Sequence, residues 1–307
     1  LKIKKMNWKY KATLQSIFSI IPFGEYMNYF FQTKITRNLP VKETKFKEKL
    51  FLAQKHFENF QKYNSSHLSE ATFYEFGAGW DMAQPLLFYT MGVDHQIIVD
   101  IRRLVRPELI NNSIKIIEHL NEVFSFPRLP KTHIKDKLDF ESVFLKHYGI
   151  EYKAPYDARK TGLSDNSIDC ITSTNTLEHI PPNEIKAILK ECYRILKKDG
   201  ILSFQIDYQD HYSYFDKNIS VYNFLKFNQA TWNTFFNPSL HYQNRLRHKE
   251  YLQLFSESGF NILEDNYYGG TPSDIEQIKT VRINKQFSNY DLNELAIRGT
   301  LIVLRKC

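Results

Sequence analysis

The chain has 307 residues, 42% hydrophobic and 24% charged, with a formal net charge of +7. That length suits one large domain or two small ones with a substantial core, and the composition excludes a disordered, collagen-like or low-complexity chain. No stretch reaches the roughly 20 apolar residues of a membrane-spanning helix. Cys170, Cys192 and Cys307 are too few and too scattered for a disulfide framework or a CxxC metal pair. A reducing, cytoplasmic compartment is therefore expected. Residues 1–70 hold 13 Lys/Arg and 5 Asp/Glu, and the remainder 28 and 29, so the positive charge is N-terminal. The body of the chain is not basic, and no nucleic-acid partner is expected.

Helices open the chain. Trp8, Leu14, Ile17, Phe18 and Ile21 recur at helical spacing up to the break at Pro22-Phe23-Gly24. Ile20 to Glu25 offers no small-residue cleavage site, so export is not expected. Met27, Phe30 and Phe31 suggest a second helix, and Leu50, Ala53, Phe57 and Phe60 a third. Strand-like and helix-like runs then alternate. Strands are expected at 72–76, 96–100, 150–153, 168–173 and 201–206, with helices near 82–91, 107–123, 136–148 and 183–196 between them. Such alternation implies a parallel sheet with helices on both faces. A polar and aromatic segment, 207–247, interrupts it. A helix near 248–258, a strand near 260–267, a loop over 270–293 and a last strand over 295–305 complete the pattern.

Glu75-Phe76-Gly77-Ala78-Gly79 ends the first strand. Two glycines let the backbone turn tightly and approach a ligand, although many strand–helix turns use glycine too. Met82 takes the third place of the dinucleotide pattern G-x-G-x-x-G, which speaks against a pyrophosphate there. Asp100 ends the next strand, 21 residues beyond Gly79, where a carboxylate can accept from both ribose hydroxyls. Asp157 follows the third strand. Alone it reads as a turn residue, and beside the other two as an acceptor for an adenine amine.

Leu163-Ser164-Asp165-Asn166-Ser167-Ile168-Asp169 precedes the fourth strand, and Thr174-Asn175-Thr176-Leu177-Glu178-His179 follows it. With this combination the chain resembles the class I S-adenosylmethionine-dependent methyltransferases, well over about residues 70–206 and more loosely over 248–305. The resemblance implies a Rossmann-like, doubly wound α/β sheet of seven strands whose last two form an antiparallel hairpin. It implies S-adenosylmethionine as cofactor, with Glu75, Gly77 and Gly79 in the first motif, Asp100 on the ribose and Asp157 on the adenine. Asn175, Thr176 and Leu177 would line the methionine end. Asp81 stands where many members carry a third glycine. The expected division is a helical extension over 1–70, a methyltransferase domain over 71–307, and a substrate lid over 207–247.

An oxygen acceptor must lose a proton, and histidine is the usual base. His211, with Asp210 as partner, is the candidate. Tyr212, Trp232, Asn244, Arg245 and Arg247 are candidate acceptor contacts, the two arginines for a phosphate or carboxylate. His179 reads as structural. The acceptor is expected to be a small molecule or glycan. No His/Asp cluster has metal-ligand spacing, so no metal is expected. The extension reads as a cap over the cofactor crevice, or else as a weak membrane contact through Lys2, Lys4, Lys5, Lys9 and Lys11 beside Trp8, Leu14, Ile17 and Phe18. Two other readings stay open: a nicotinamide-dependent oxidoreductase, against which Met82 and the Leu177-Glu178-His179 motif stand, and a non-catalytic cofactor-binding module. One sequence leaves the oligomeric state undetermined.

Overall fold

The computed structural model describes residues 7–135 and 140–307. Its elements in chain order are α1 (Trp8–Ile20), α2 (Gly24–Phe30), α3 (Glu43–Tyr63), β1 (Thr72–Phe76), α4 (Ala83–Thr90), β2 (His95–Val99), α5 (Pro107–Phe124), α6 (Phe140–Tyr148), β3 (Ile150–Lys153), β4 (Ile168–Thr174), α7 (Pro182–Ile195) and β5 (Leu196–Asp207). There follow α8 (Tyr212–Phe215), α9 (Gln229–Phe235), α10 (His248–Glu257), β6 (Phe260–Gly269), α11 (Pro272–Lys279), α12 (Leu292–Ala296) and β7 (Ile297–Lys306). Lys2, Lys4 and Lys5, and positions 136–139 of the expected sixth helix, lie outside the described residues. Among those described, no helix is long and apolar enough to cross a membrane.

The strands form one sheet in the order β3-β2-β1-β4-β5-β7-β6. Neighbours from β3 to β5 pair in parallel, whereas β7 runs antiparallel to both β5 and β6. This is the seven-stranded sheet with a terminal antiparallel hairpin that the resemblance implies. The strands are apolar because both faces are covered. Period-two alternation sends Phe73 toward α3, α4 and α5, and Tyr74 and Phe76 toward α7 and α10. Chain order reverses between β1 and β4, so the loops after these strands diverge and leave a crevice at their C-terminal ends.

The third helix is not a detached cap. Phe46, Leu50, Ala53 and Phe60 of α3 sit in the same core cluster as Phe73 and Phe88. Its buried polar groups meet the sheet as well. His56 Nδ1 lies 2.7 Å from Ser203 Oγ, Asn59 Nδ2 donates to the same hydroxyl, and His56 Nε2 is 3.2 Å from Thr174 Oγ1. Burial pushes His56 down to about 3, so the ring is neutral. The expected division at residue 70 therefore coincides with no break in packing.

Helix α1 buries a different face from the one its spacing suggested. Trp8, Ala12 and Gln15 are buried, while Ile17 and Ile20 are exposed. Trp8 packs on Tyr212, Phe227 and Phe236 of the 207–247 segment. Lys11 lies over the Phe215 ring at 5.1 Å. Trp8 is thus buried against this segment, while Lys9 and Ile17 of the same helix remain exposed. The segment 270–293 is also more ordered than expected. Thr271 and Asp274 form a reciprocal capping box that starts α11, which buries Ile278 beside Trp232 and Phe287.

Leu50→Ala should lower the unfolding free energy by about 2–5 kcal/mol, as a core truncation does. Exposed Ile20→Ala should change it by less than about 0.5 kcal/mol. Denaturant melts of the two variants check that α3 belongs to the sheet's core.

Candidate active site

The turn after β1 is built on two glycines with different duties. Gly77 has φ +91°, and a Cβ there would lie 2.3 Å from Thr176 Oγ1. A side chain would push the β1 and β4 loops apart. Gly79 has φ +67° and would meet nothing within 4 Å. It borders open space, so the backbone is exposed to any ligand in the crevice. Met82 fills the core instead. Asp81 caps α4 through Ala83 N and pairs with Lys49 of α3 at 2.6 Å. The missing third glycine is therefore a structural substitution.

A cavity of about 470 Å³ opens beside this turn. Gly77, Gly79, Asp100, Asp157, Asn175 and Thr176 all line it, and Glu25, Asn28 and Gln32 of α2 and its continuation close one side. Leu177 does not reach it. That side chain is fully buried under the sheet with Ile185 and Leu202, so its expected ligand contact is corrected to a core role. Asp100 accepts from Arg102 N at 2.9 Å, and burial raises its carboxyl above the usual range. Asp157 is held by Arg159, whose Nε and Nη2 contact both carboxylate oxygens. These bonds hold it below the usual range, so a ligand amine would have to share it.

A wider groove of about 2020 Å³ lies on the α3 side of the sheet. It shares Gly77, Gly79, Thr174 and Asn175 with the smaller cavity, so the two meet there. Glu75 lines the groove. It is 3% exposed, its Oε2 has no partner, and burial pushes it up to about 8. The groove lysines of α3 are largely neutralised, as Lys45, Lys47, Lys49, Lys55 and Lys62 pair with Glu48, Glu43, Asp81, Glu58 and Glu264.

The expected base is present with a different partner. His211 Nε2 lies 3.2 Å from Asp207 Oδ2, and Asp207 also accepts from Tyr214 Oη. Burial alone would raise Asp207, but His211 and Tyr214 outweigh it and hold the carboxylate below its ordinary range. Asp210 turns away. Its oxygens accept from Tyr212 N and Asn223 Nδ2, and burial pushes it up to about 6. The His211 ring centroid is 4.8 Å from that of His179, which lines the smaller cavity, while Asp207 and Tyr214 line the groove. His211 thus stands between the two spaces.

The expected acceptor contacts are corrected. Arg245 is buried and donates to the Phe224 and Phe227 carbonyls and to Gln229 Oε1. Arg247 is fully buried and donates to the Tyr208, Leu295 and Ile297 carbonyls. Neither guanidinium has a fork to offer an anion. Trp232 Nε1 donates to Gln243 O, and Tyr212 Oη to Phe236 O, both within the lid's own core. Asn244 donates to the Leu177 and Ile180 carbonyls and so ties the lid to the turn after β4. These five residues shape the lid from inside. Sequence reasoning missed Asp207, whose signal was its place at the end of β5, four residues before His211.

Residues 138–204 match the family model described as "Methyltransferase domain". No curated protein matches the chain. Among solved structures, a Pyrococcus horikoshii OT3 protein is similar at 13% identity and TM-score 0.49, over 91% of this chain and 99% of that one. A geranyl diphosphate C-methyltransferase from Streptomyces coelicolor A3(2) is similar at 9% identity and TM-score 0.47, over 83% and 78%. An S-adenosylmethionine-dependent methyltransferase from Methanosarcina mazei is similar at 16% identity and TM-score 0.43, over 80% and 95%.

Glu75 generates a pH prediction. Its carboxyl is raised in the folded chain, so its contribution to stability is largest at low pH and falls as pH rises from about 4.5 through about 8. Glu75→Gln should therefore gain melting temperature relative to the wild type between pH 5 and pH 8. Equal slopes for the two proteins would place the Glu75 titration elsewhere.

Proposed function

We infer that this chain, which carries a class I S-adenosylmethionine-dependent methyltransferase domain, moves a methyl group onto a hydroxyl oxygen of a small-molecule or glycan acceptor. The residues present fit the cofactor. A buried carboxylate without a partner, Glu75 Oε2, suits a cationic amino-acid end. Gly79 borders open space for close backbone approach, and Asp100 offers a carboxylate at the strand end for a ribose. Asn175 and Thr176 line the passage between them, and Asp157 stands on the cavity wall for an adenine amine. When bound, the cofactor supplies a methyl group already activated by a sulfonium.

The observation that carries the acceptor reading is the His211–Asp207 pair: Asp207 lines the groove, and the buried His211 ring behind it lies 4.8 Å from that of His179 on the cavity wall. The chain's main task is to hold two reactants in line, which alone accelerates transfer greatly. The groove supplies the second berth. Asp207 Oδ2, 3.2 Å from Nε2, faces the His211 ring as the carboxylate partner of a histidine base does. A hydroxyl at the groove end of the junction would give its proton to that ring. Five lysines of α3 are paired, but Lys11, Arg37, Lys42 and Lys217 also line the groove without an ion-pair partner among the described residues, so its wall keeps excess positive charge that suits an anionic as well as a neutral hydroxyl acceptor. Segments on both sides, α2 and Ser239 to Tyr242, line the smaller cavity.

A panel of hydroxylated small molecules and glycans, assayed for methyl transfer with wild-type protein and His211→Ala, tests this. The expected result is at least one hydroxyl acceptor, with kcat in the variant lowered by about 10²–10⁴-fold and cofactor affinity within twofold. Full activity in His211→Ala, or turnover confined to carbon acceptors, would overturn the oxygen assignment.

A further inference from the structure

We propose that Glu178, His179 and His211 form a binding site for one divalent first-row transition metal ion behind the wall of the smaller cavity, which His179 lines. Glu178 and His179 lie in the single helical turn Leu177–His179 after β4, and His211 lies just beyond β5. Sequence spacing hides the set, because 32 positions separate its two halves. The fold brings adjacent strand ends together, so that one donor atom from each side chain lies within 4.8 Å of the others. Ligands about 2.0–2.2 Å from one ion stand at most about 4.4 Å apart, so a small rotation of these side chains closes the set around an ion.

Each side chain is prepared for this. Glu178 is 2% exposed, and neither of its oxygens accepts a hydrogen bond from another side chain. A buried carboxyl in that state is held as the neutral acid or is compensated by a cation, and its two oxygens are open to one. His179 Nδ1 lies 2.7 Å from the Tyr242 carbonyl, which can only accept, so Nδ1 carries the hydrogen and Nε2 keeps the lone pair. His211 Nε2 faces Asp207 Oδ2 at 3.2 Å, which leaves Nδ1 as its free donor. A ligating imidazole held at its other nitrogen by a carbonyl or carboxylate is the arrangement that orients metal-bound histidines.

Two imidazoles and one carboxylate suit zinc, manganese, iron or cobalt in the divalent state better than magnesium or calcium, which favour all-oxygen shells. Three protein ligands leave positions open for another molecule, as in sites that do chemistry rather than brace a fold. The site's existence does not depend on methyl transfer, but its role rests on that reading. With an ion bound, His211 Nδ1 is occupied and the ring serves as base only in the metal-free protein; the ion would then hold an acceptor hydroxyl beside Asp207.

The full-length protein, stripped with a chelator and titrated calorimetrically with Mn²⁺ and Zn²⁺, tests the site. One ion per chain is expected. Glu178→Gln and His179→Ala should each weaken binding at least tenfold, and Co²⁺-loaded protein should show visible absorption that His211→Ala alters. Less than 0.1 ion per chain, or unchanged affinity in folded Glu178→Gln and His179→Ala, would overturn the site. S-adenosylmethionine titrated into the same metal-free samples separates the two readings. Cofactor binding without metal binding removes the site alone, and metal binding without cofactor binding removes only its role in methyl transfer.

Discussion

The contact between Gly77 and Thr176 is the constraint on which the site depends. The β1 and β4 loops belong to neighbouring strands whose connections leave in opposite directions, and they pass each other with no room for a Cβ at Gly77. That closeness puts Gly79, Asp100 and Asn175 around one small cavity. It also places the Glu178-His179 turn opposite the end of β5. Any side chain at Gly77 would widen the passage and separate the two halves of the site at once.

Helix α3 makes the second half possible. It is fixed to the sheet through apolar packing and through the His56, Asn59 and Ser203 group, a buried polar network whose members are partnered. Its opposite face forms a wall of the groove, where Lys45, Lys47 and Lys55 pair within the helix and Lys49 and Lys62 reach Asp81 and Glu264. One element therefore braces the sheet and sets the electrical character of the acceptor space. The lid is built in the same way. Arg245 and Arg247 spend their donors on backbone carbonyls, which holds an irregular segment with little regular structure of its own in one shape.

The strands were legible because both faces of the sheet are buried, which writes each one as an apolar run between turn residues. Gly77, Gly79 and Asp100 were legible because strand ends at a switch point are few and their spacing is constrained. The lid was not. An arginine that braces carbonyls and an arginine that grips a phosphate have the same letter and the same neighbours in sequence, and only burial separates them. Asp210 misled for a related reason. It adjoins His211 in sequence, but the turn into α8 carries its carboxylate to Tyr212 N and Asn223, while Asp207 at the strand end points back toward the ring. Likewise α1 was read from its apolar letters, although its buried face is chosen by where Trp8 finds aromatic partners. The capping box at Thr271 and Asp274 was the one local signal available for α11, with Asp in place of the more common Glu.

The central claim is that the small cavity holds S-adenosylmethionine through Asp100 and the glycine turn. Calorimetric titration of the cofactor into wild-type protein and into Asp100→Ala tests it most directly. The account predicts one site per chain in the wild type and at least tenfold weaker binding in the variant, with both proteins equally folded. Well-folded wild-type protein that takes up no cofactor, or an Asp100→Ala variant that binds it as tightly, would contradict the account.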